Sequence, residues 1–202
     1  MSACNIGGES ERLKALHRYE ILDSEPEEIF DQITRLALNT LQMPMAVISL
    51  MDHDRQWFKS RHGVDAIQTP RHYSFCTHTI QDSKPLIVTD SHADQRFSAS
   101  PLVTGEPHVR SYIGVPLRTR DGFNIGALCS MDTEVRVFTD YQVSLMIDLS
   151  QSVIEEIERR TANMSMADGS PQTIRCWRNV SVWSPERFMS AHRCSVAGSG
   201  TR

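Results

Sequence analysis

The sequence has no long apolar run. None of its 202 residues belongs to a stretch that approaches the ~18 apolar residues of a membrane-spanning helix. The beginning of the chain, MSACNIGGESERLK, also lacks the apolar core of a secretory signal. We therefore expect a cytoplasmic protein without a membrane partner.

The sequence also lacks a cysteine framework and an excess of positive charge. Its five cysteines are odd in number and irregularly spaced, and cytosolic thiols are normally reduced, so we expect no structural disulfide. The formal net charge is −4, and a mildly acidic chain argues against nucleic acid as a partner.

Motifs of common enzymes are missing as well. We find no convincing Ser-His-Asp order, phosphate-binding glycine loop or paired carboxylates. The polar loops contain histidines, but these lack the spacing of metal ligands, and no metal site is expected: His72, His78, His92 and His108. The sequence favours a non-catalytic protein and leaves an enzyme open.

The first half of the chain has alternating helical and strand patterns. Helical spacing predicts a helix from Glu9 to Leu22 and a second one from Pro26 to just before Met43. Apolar runs then predict a hairpin of strands 45–51 and 56–62, followed by a loop over 63–71. Ser74 is a suitable N-cap for a short helix over 75–82.

The second half predicts a second hairpin and a long helix. A strand is predicted at 86–89, and residues 90–107 form a long polar connection. Asp121-Gly122 indicates a hairpin turn between two strands. One face of the first strand is predicted to hold Val109, Ser111, Ile113, Val115 and Leu117, and one face of the second to hold Ile125, Ala127, Cys129 and Met131.

A capping box of Thr139 and Gln142 begins a helix that runs from Asp140 to about Thr161. Its apolar residues predict either one broad buried stripe or two stripes, one of which meets a partner helix. We predict a flexible N-terminus over 1–10, one domain over 11–162, and a tail over 163–202 that is disordered or a remnant of a longer region.

The order of these elements and several motifs resemble a known family. The motifs are YEILDSEPEEIFDQITRLA, ISLMDHDRQWFKSRHG, PRHYSFCTHTI, DQRFSASPLVTGEPHVRSYIGVPL, GALCSMD and FTDYQ. Together they resemble bacterial GAF domains, in particular those attached to sensor histidine kinases and diguanylate cyclases. The resemblance implies a GAF/PAS-like α/β (α+β) fold, in which a central antiparallel sheet has helices on one face and a ligand cavity on the other.

The resemblance also implies a homodimer formed through the terminal helices, in a histidine kinase or diguanylate cyclase pathway. We find no kinase or cyclase signature, so we expect either that the signal passes to another protein or that the chain is a truncated gene product. The expected function is a non-catalytic sensory module that binds a small ligand or senses redox state. The alternatives are a thiol-dependent reductase of the methionine sulfoxide type and a ligand-free dimerisation or docking module.

The ligand itself is not identified by these motifs. Bilin-binding members place a cysteine directly before a histidine, whereas Thr77 separates Cys76 from His78 here. The pattern of cyclic-nucleotide-binding members is not found, and the cysteines do not visibly match those of the sulfoxide reductases. We expect neither a bilin nor a haem, and the cofactor is unknown.

Two cysteines are candidates for chemistry at the cavity. Cys76 lies in the first turn of the short helix, where a thiol is either reactive or simply a small buried side chain. Cys129 lies on an apolar strand face, so a core thiol is the default interpretation. The two form a redox switch only if their Cα atoms lie within about 7 Å.

Polar and aromatic side chains complete the predicted site. Asp94, Arg96 and Arg110 are predicted to contact an anionic ligand; the alternative is that Asp94 and Arg96 pair to brace their loop. Trp57 either lines the pocket or packs under the helices. The remaining candidates for ligand contact are Phe75, His78 and Tyr112, the last expected on the same side as Arg110.

Overall fold

The computed structural model describes residues 8–167, with side chains to residue 164. Two helices, α1 (Glu9–His17) and α2 (Glu28–Leu41), precede strands β1 (Met45–Met51), β2 (Arg55–His62) and β3 (Gln68–Pro70). A 3₁₀ turn (Arg71–Tyr73) and helix α3 (Phe75–Thr79) lead to β4 (Leu86–Val88) and α4 (Pro101–Thr104). Strands β5 (Ser111–Arg118) and β6 (Asn124–Asp132) come before α5 (Asp140–Ala167).

The strands form one sheet in the order β3-β2-β1-β6-β5-β4. Every neighbouring pair is antiparallel, which confirms the predicted fold class. The hairpin turn between β5 and β6 contains Gly122 at φ 91°, a left-handed conformation that glycine adopts without strain.

Alternation along the strands gives the sheet two buried faces. One face packs against α1, α2 and α5, where Ile48 and Ile113 contribute to the same apolar cluster as Phe30 and Val153. The opposite face carries a second apolar cluster, covered by α3 and the long connection before β5. Its members are Val47, Met51, Phe58, Phe75, Cys76, Ile80, Val88, Phe97, Val103, Val109, Tyr112, Ala127 and Cys129.

Two predicted face assignments are wrong. Ile125 lies in the cluster that packs against α1, α2 and α5, here called the helix-side cluster. The register shifts between the cross-strand pairs Leu117/Gly126 and Arg118/Asn124, and this leaves Ile125 without a partner. Such a bulge turns the extra residue to the other face. Val109 lies in the second cluster, away from Ile113, because it precedes the first residue of β5.

Several boundaries also differ from the prediction. Helix α1 ends at His17, because Glu20 and Asp23 have positive φ angles of 47° and 57° and cannot continue a right-handed helix. Strand β3 lies inside the predicted loop over 63–71, and α4 lies inside the predicted polar connection over 90–107. Both elements are shorter than the window over which periodicity can be recognised.

Helix α5 begins with the predicted capping box. The Thr139 backbone N–H donates to Gln142 Oε1 at 3.0 Å, and the Gln142 N–H donates to Thr139 Oγ1 at 3.3 Å. Its apolar side chains form one broad buried stripe that includes Met146, Leu149 and Val153. Residues 1–7 and 168–202 lie outside the described residues, and the predicted domain limits stay a prediction.

Candidate functional site

A cavity of about 490 Å³ lies on the sheet face opposite α2 and α5. This volume lies within the range of small-molecule sites. Strands β2, β5 and β6 form its base, and α3, α4 and the loops after β2 and α4 surround it. The lining residues are Met45, Gln56, Phe58, Gly63, Val64, Asp65, Ala66, Thr69, Ser74, Phe75, Cys76, Leu102, Glu106, Pro107, Val109, Tyr112, Cys129 and Met131.

The floor of the cavity is centred on the Cys76 sulfur. Ser74 caps α3 by accepting a hydrogen bond from the Cys76 backbone N–H at 3.0 Å, which fixes the start of the helix. The Cys76 Sγ then lies 3.5 Å from Cys129 Sγ and 3.4 Å from the Tyr112 hydroxyl. Gln56 donates its side-chain N–H to the same sulfur at 3.2 Å.

Tyr112 is held in place by its own set of contacts. Its hydroxyl lies 2.6 Å from Thr79 Oγ1, and its ring stacks on Phe75 with centroids 5.1 Å apart. Gly114 follows two residues later on the same face, and the Tyr112 hydroxyl occupies the space that a β-carbon at Gly114 would need. The phenol therefore reaches α3 because residue 114 is a glycine.

The two thiols differ in acidity because each is hydrogen-bonded to the other. The pKa of Cys76 is lowered, chiefly by a hydrogen bond from Cys129, although burial opposes this; Ser49 and Tyr112 add smaller contributions. The pKa of Cys129 is raised well above its usual value, first by its hydrogen bond to Cys76 and then by burial. The pair therefore loses a first proton more readily than a second one.

Tyr112 remains protonated beside these sulfurs. Burial raises the pKa of its phenol well above the usual value, and the neighbouring thiols raise it further. A protonated phenol can donate to the Cys76 sulfur or to a ligand atom above it. The floor of the cavity thus offers a hydroxyl, an amide and a thiol within an otherwise apolar wall.

The charge at the cavity is acidic. Asp65 and Glu106 are exposed residues at the mouth, on the loops after β2 and α4. Among the described lining residues there is no Lys, Arg or His. An anionic ligand would meet two carboxylates and no cationic lining residue, although the Arg61 guanidinium lies behind the wall and donates to the Val64 and Asp65 carbonyls, both at 2.9 Å. An uncharged or cationic ligand meets no such repulsion.

Four of the nine predicted ligand-contact residues line the cavity, namely Phe75, Cys76, Tyr112 and Cys129. Trp57 belongs to the helix-side cluster, so it packs under the helices, as the alternative interpretation had it. Gln56 and Phe58, its neighbours along β2, line the cavity instead. Strict alternation along β2 would have identified them once the face of Trp57 was known.

The predicted arginines do not line this cavity. Arg110 forms two hydrogen bonds with Asp90, at 3.0 and 2.8 Å, and borders a separate shallow surface depression. Arg96 pairs with Asp94 at 2.6 Å. This agrees with the alternative interpretation of the sequence, in which the pair braces its loop. Each guanidinium lowers the pKa of its partner carboxyl through these hydrogen bonds.

His78 also lies outside the lining. Its ring packs edge-on against Phe97 at 4.9 Å, and partial burial lowers its pKa, with Arg96 adding to the effect. Phe97 in turn stacks on Phe75 at 4.1 Å. The loop that contains Asp94 and Arg96 therefore contacts the cavity wall through Phe97 rather than through its charged residues.

Over residues 8–167 the structure contains no group of three or more His, Cys, Asp or Glu side chains placed to hold a metal ion. No helix in the same part of the chain is both long enough and apolar enough to cross a membrane.

Comparison with known proteins defines the class of this fold and cavity. The family model for the GAF domain matches residues 25–157, so the chain belongs to the GAF domain family. A cyclic di-GMP phosphodiesterase from Pseudomonas aeruginosa is 36% identical over 165 residues. That match covers 80% of this chain but only 28% of the phosphodiesterase.

Two solved structures show the same fold at low identity. The GAF domain of a phosphoenolpyruvate-protein phosphotransferase from Coxiella burnetii superposes with a TM-score of 0.57 and 14% identity, covering 81% of this chain and 99% of that chain. A free methionine-R-sulfoxide reductase from Neisseria meningitidis, solved with its substrate, gives a TM-score of 0.55 and 16% identity, with the same 81% and 99% coverage. At this identity the likeness concerns the fold alone.

Proposed function

We propose that this GAF domain is a non-catalytic sensory module that binds a small uncharged or cationic molecule in its cavity. The observation that carries the proposal is an accessible cavity of about 490 Å³ whose floor presents hydrogen-bonding groups and whose mouth is acidic. A largely apolar cavity with a few convergent polar groups is the usual form of a small-molecule site.

The charge distribution changes the expected ligand class. The sequence predicts an anionic ligand held by Arg96 and Arg110, but both guanidinium groups are occupied by neighbouring carboxylates away from the cavity. Within the cavity, Gln56 and Tyr112 can donate hydrogen bonds to a ligand, and Phe58 offers an apolar surface. These groups suit a neutral molecule with one or two acceptor atoms.

The second element of the proposal is a homodimer that passes the signal through the terminal helices. Helix α2 leaves Ile29 and Leu36 exposed, seven residues apart and therefore on one side of the helix. Helix α5 is joined to the loop before α2 by Arg160, which contacts Glu27 at 3.0 Å. The phosphodiesterase relative supports a partner in cyclic di-GMP signalling, and a histidine kinase pathway is the other candidate.

A thermal-shift screen tests the ligand class. The library contains matched neutral, cationic and anionic small molecules, and it is applied to the full chain. We expect neutral or cationic compounds to raise the unfolding midpoint by several degrees, because a ligand that binds only the folded state stabilises it. A screen in which only anions raise the midpoint, or in which no compound does, would contradict the proposal.

A second candidate function is thiol-dependent reduction of a sulfoxide or peroxide. It is favoured by one observation, the 3.5 Å distance between the Cys76 and Cys129 sulfurs. In such a reaction the two thiols are oxidised to a disulfide while the substrate loses one oxygen as water, and a small thiol donor restores the pair. Multiple turnovers in the wild type that are lost in Cys76→Ser would support this function. Wild-type activity no higher than the background reaction would contradict it.

A further inference from the structure

Cys76 and Cys129 are brought together from different parts of the fold. Cys76 comes from the first turn of α3, and Cys129 from the middle of β6. Their sulfurs are 3.5 Å apart, and a disulfide requires about 2.05 Å, so the two sulfurs need to approach by about 1.5 Å.

We propose that Cys76 and Cys129 are a redox modification site, at which a small hydroperoxide converts the two thiols into a reversible intramolecular disulfide. The proposal rests on the sulfur–sulfur geometry and on access through the cavity. It does not depend on ligand binding, and it goes beyond the proposed sensory role by naming a covalent change and the class of oxidant.

The route to the thiols is restricted to small molecules. Cys76 is 2% exposed and Cys129 is 1% exposed, so a protein disulfide cannot reach them directly. Both cysteines line the cavity that opens between Asp65 and Glu106, and an uncharged hydroperoxide passes those carboxylates without repulsion.

The groups around Cys76 identify it as the thiol that reacts first with the hydroperoxide. Gln56 donates to its sulfur at 3.2 Å, and the Tyr112 hydroxyl lies 3.4 Å away. Donors of this kind stabilise the thiolate, which is the nucleophilic form. The lowered pKa of Cys76 and the raised pKa of Cys129 agree with this order.

The reaction has two balanced steps. The Cys76 thiolate attacks the terminal oxygen of the hydroperoxide, an S–O bond forms, and the O–O bond breaks. The alkoxide or hydroxide that leaves takes up the proton that Cys76 lost on forming the thiolate, which gives an alcohol or water. The Cys129 sulfur then attacks the Cys76 sulfenic acid, the S–S bond forms, and the S–O bond breaks to release water that takes up the Cys129 proton. Two thiols lose two electrons, and one hydroperoxide gains them.

The test is peptide mapping of the full chain. The reduced protein is treated with one to five equivalents of hydrogen peroxide, quenched with N-ethylmaleimide and digested with trypsin. Cleavage places Cys76 in peptide 72–96, because Lys84 precedes a proline, and Cys129 in peptide 121–136. We expect a disulfide-linked pair of these peptides that disappears after dithiothreitol treatment.

Cys129→Ser is the matched variant. Without the second thiol, the Cys76 sulfenic acid has no partner at 3.5 Å, so we expect at least ten-fold more Cys76 sulfenic acid trapped by dimedone than in the wild type. Circular dichroism checks that the variant is folded. If the variant does not fold, the peptide mapping of the wild type decides the proposal. The proposal would be overturned if, after peroxide treatment of the wild type, both cysteines are still free thiols and are recovered as N-ethylmaleimide adducts. It would also be overturned if Cys76 is overoxidised and no linked peptide is found.

Stoichiometry separates this site from the reductase candidate. A modification site at Cys76 and Cys129 consumes one equivalent of hydroperoxide and then stops until it is reduced, and this equivalent is measured as the difference between the wild type and Cys76→Ser because the chain has three further cysteines. With a small thiol present, we expect hydroperoxide consumption no faster than the background reaction of that thiol alone, because the buried disulfide is re-reduced slowly. Consumption well above this background would assign the pair to a catalytic cycle and would contradict its role as a stable modification site.

Discussion

Lys59 shows how one residue is fixed by the local geometry of a strand. Lys59 follows Trp57 by two residues along β2, so alternation places it on the same helix side of the sheet. The register shift between the pairs Ile48/Ser60 and Ser49/Phe58 leaves it without a cross-strand partner. There its fully buried ammonium donates to Ser24 Oγ, to the Glu25 carbonyl and to Glu27, at 2.8, 2.6 and 2.7 Å. Three donors therefore meet three acceptors, which offsets the cost of burying the charge.

Replacing this residue tests that account. Lys59→Met keeps the apolar stem but leaves the Ser24 and Glu25 acceptors without their donor, so we expect a loss of about 3 kcal/mol in the free energy of unfolding. Urea denaturation measures it. Lys14→Met is the matched control, because the Lys14 side chain is 70% exposed and its removal should change stability by less than about 0.5 kcal/mol. Equal effects for the two variants would contradict the account.

Among the elements, α1 is joined to the 3₁₀ turn before α3 by a small charge network. Glu9 accepts hydrogen bonds from Arg12 within α1 and from Arg71 in the turn. The same Arg71 side chain donates to the Asp52 carbonyl at 2.9 Å. Arg12 first, and then Arg71, hold the pKa of Glu9 down to about 2 from its usual 4.5, against the opposing effect of burial.

This network predicts a defined pH dependence. A carboxyl whose pKa is lowered by folding stabilises the protein above pH 4.5, and the contribution is lost as the pH falls towards about 2. Because Glu9 is half exposed, solvent screening limits the effect to about 1 kcal/mol. Glu9→Gln should therefore be less stable than the wild type at pH 7, and the gap should close on acidification. A gap independent of pH would contradict this, and Glu11→Gln is the control.

The sequence predicted most elements because their patterns are long. The strands β5 and β6 and the capped helix α5 follow periodicities, and β1 and β2 follow apolar runs, which tertiary contacts do not override. The face of Ile125 could not be predicted, because it depends on a bulge that only the pairing of two strands defines. Residue periodicity within a single strand contains no information about its partner's register.

At the scale of the whole molecule, the sheet separates a structural side from a cavity side. The helix-side cluster contains Trp57, whereas its neighbours Gln56 and Phe58 line the cavity. The family resemblance predicted the position of this cavity, and Tyr112 and Cys129 were among the residues predicted to contact a ligand there, although the apolar pattern favoured a core thiol for Cys129. It did not predict the charge at the mouth, because the sequence does not reveal that Arg110 pairs with Asp90 rather than with a ligand.

The charge and position of the cavity lead to one central claim, that a small uncharged or cationic molecule binds between β2, α3 and α4. Leu102 on α4 lines the cavity, and Leu102→Trp would fill part of its volume. Val137→Trp is the matched control, because Val137 is 84% exposed and lies outside the lining.

The affinity of the strongest neutral or cationic compound from the screen is measured by isothermal titration into the wild type, Leu102→Trp and Val137→Trp. We predict one binding site per chain in the wild type and in Val137→Trp, and at least ten-fold weaker binding, about 1.4 kcal/mol, in folded Leu102→Trp. Unchanged affinity in Leu102→Trp would show that the compound binds elsewhere and would contradict the account.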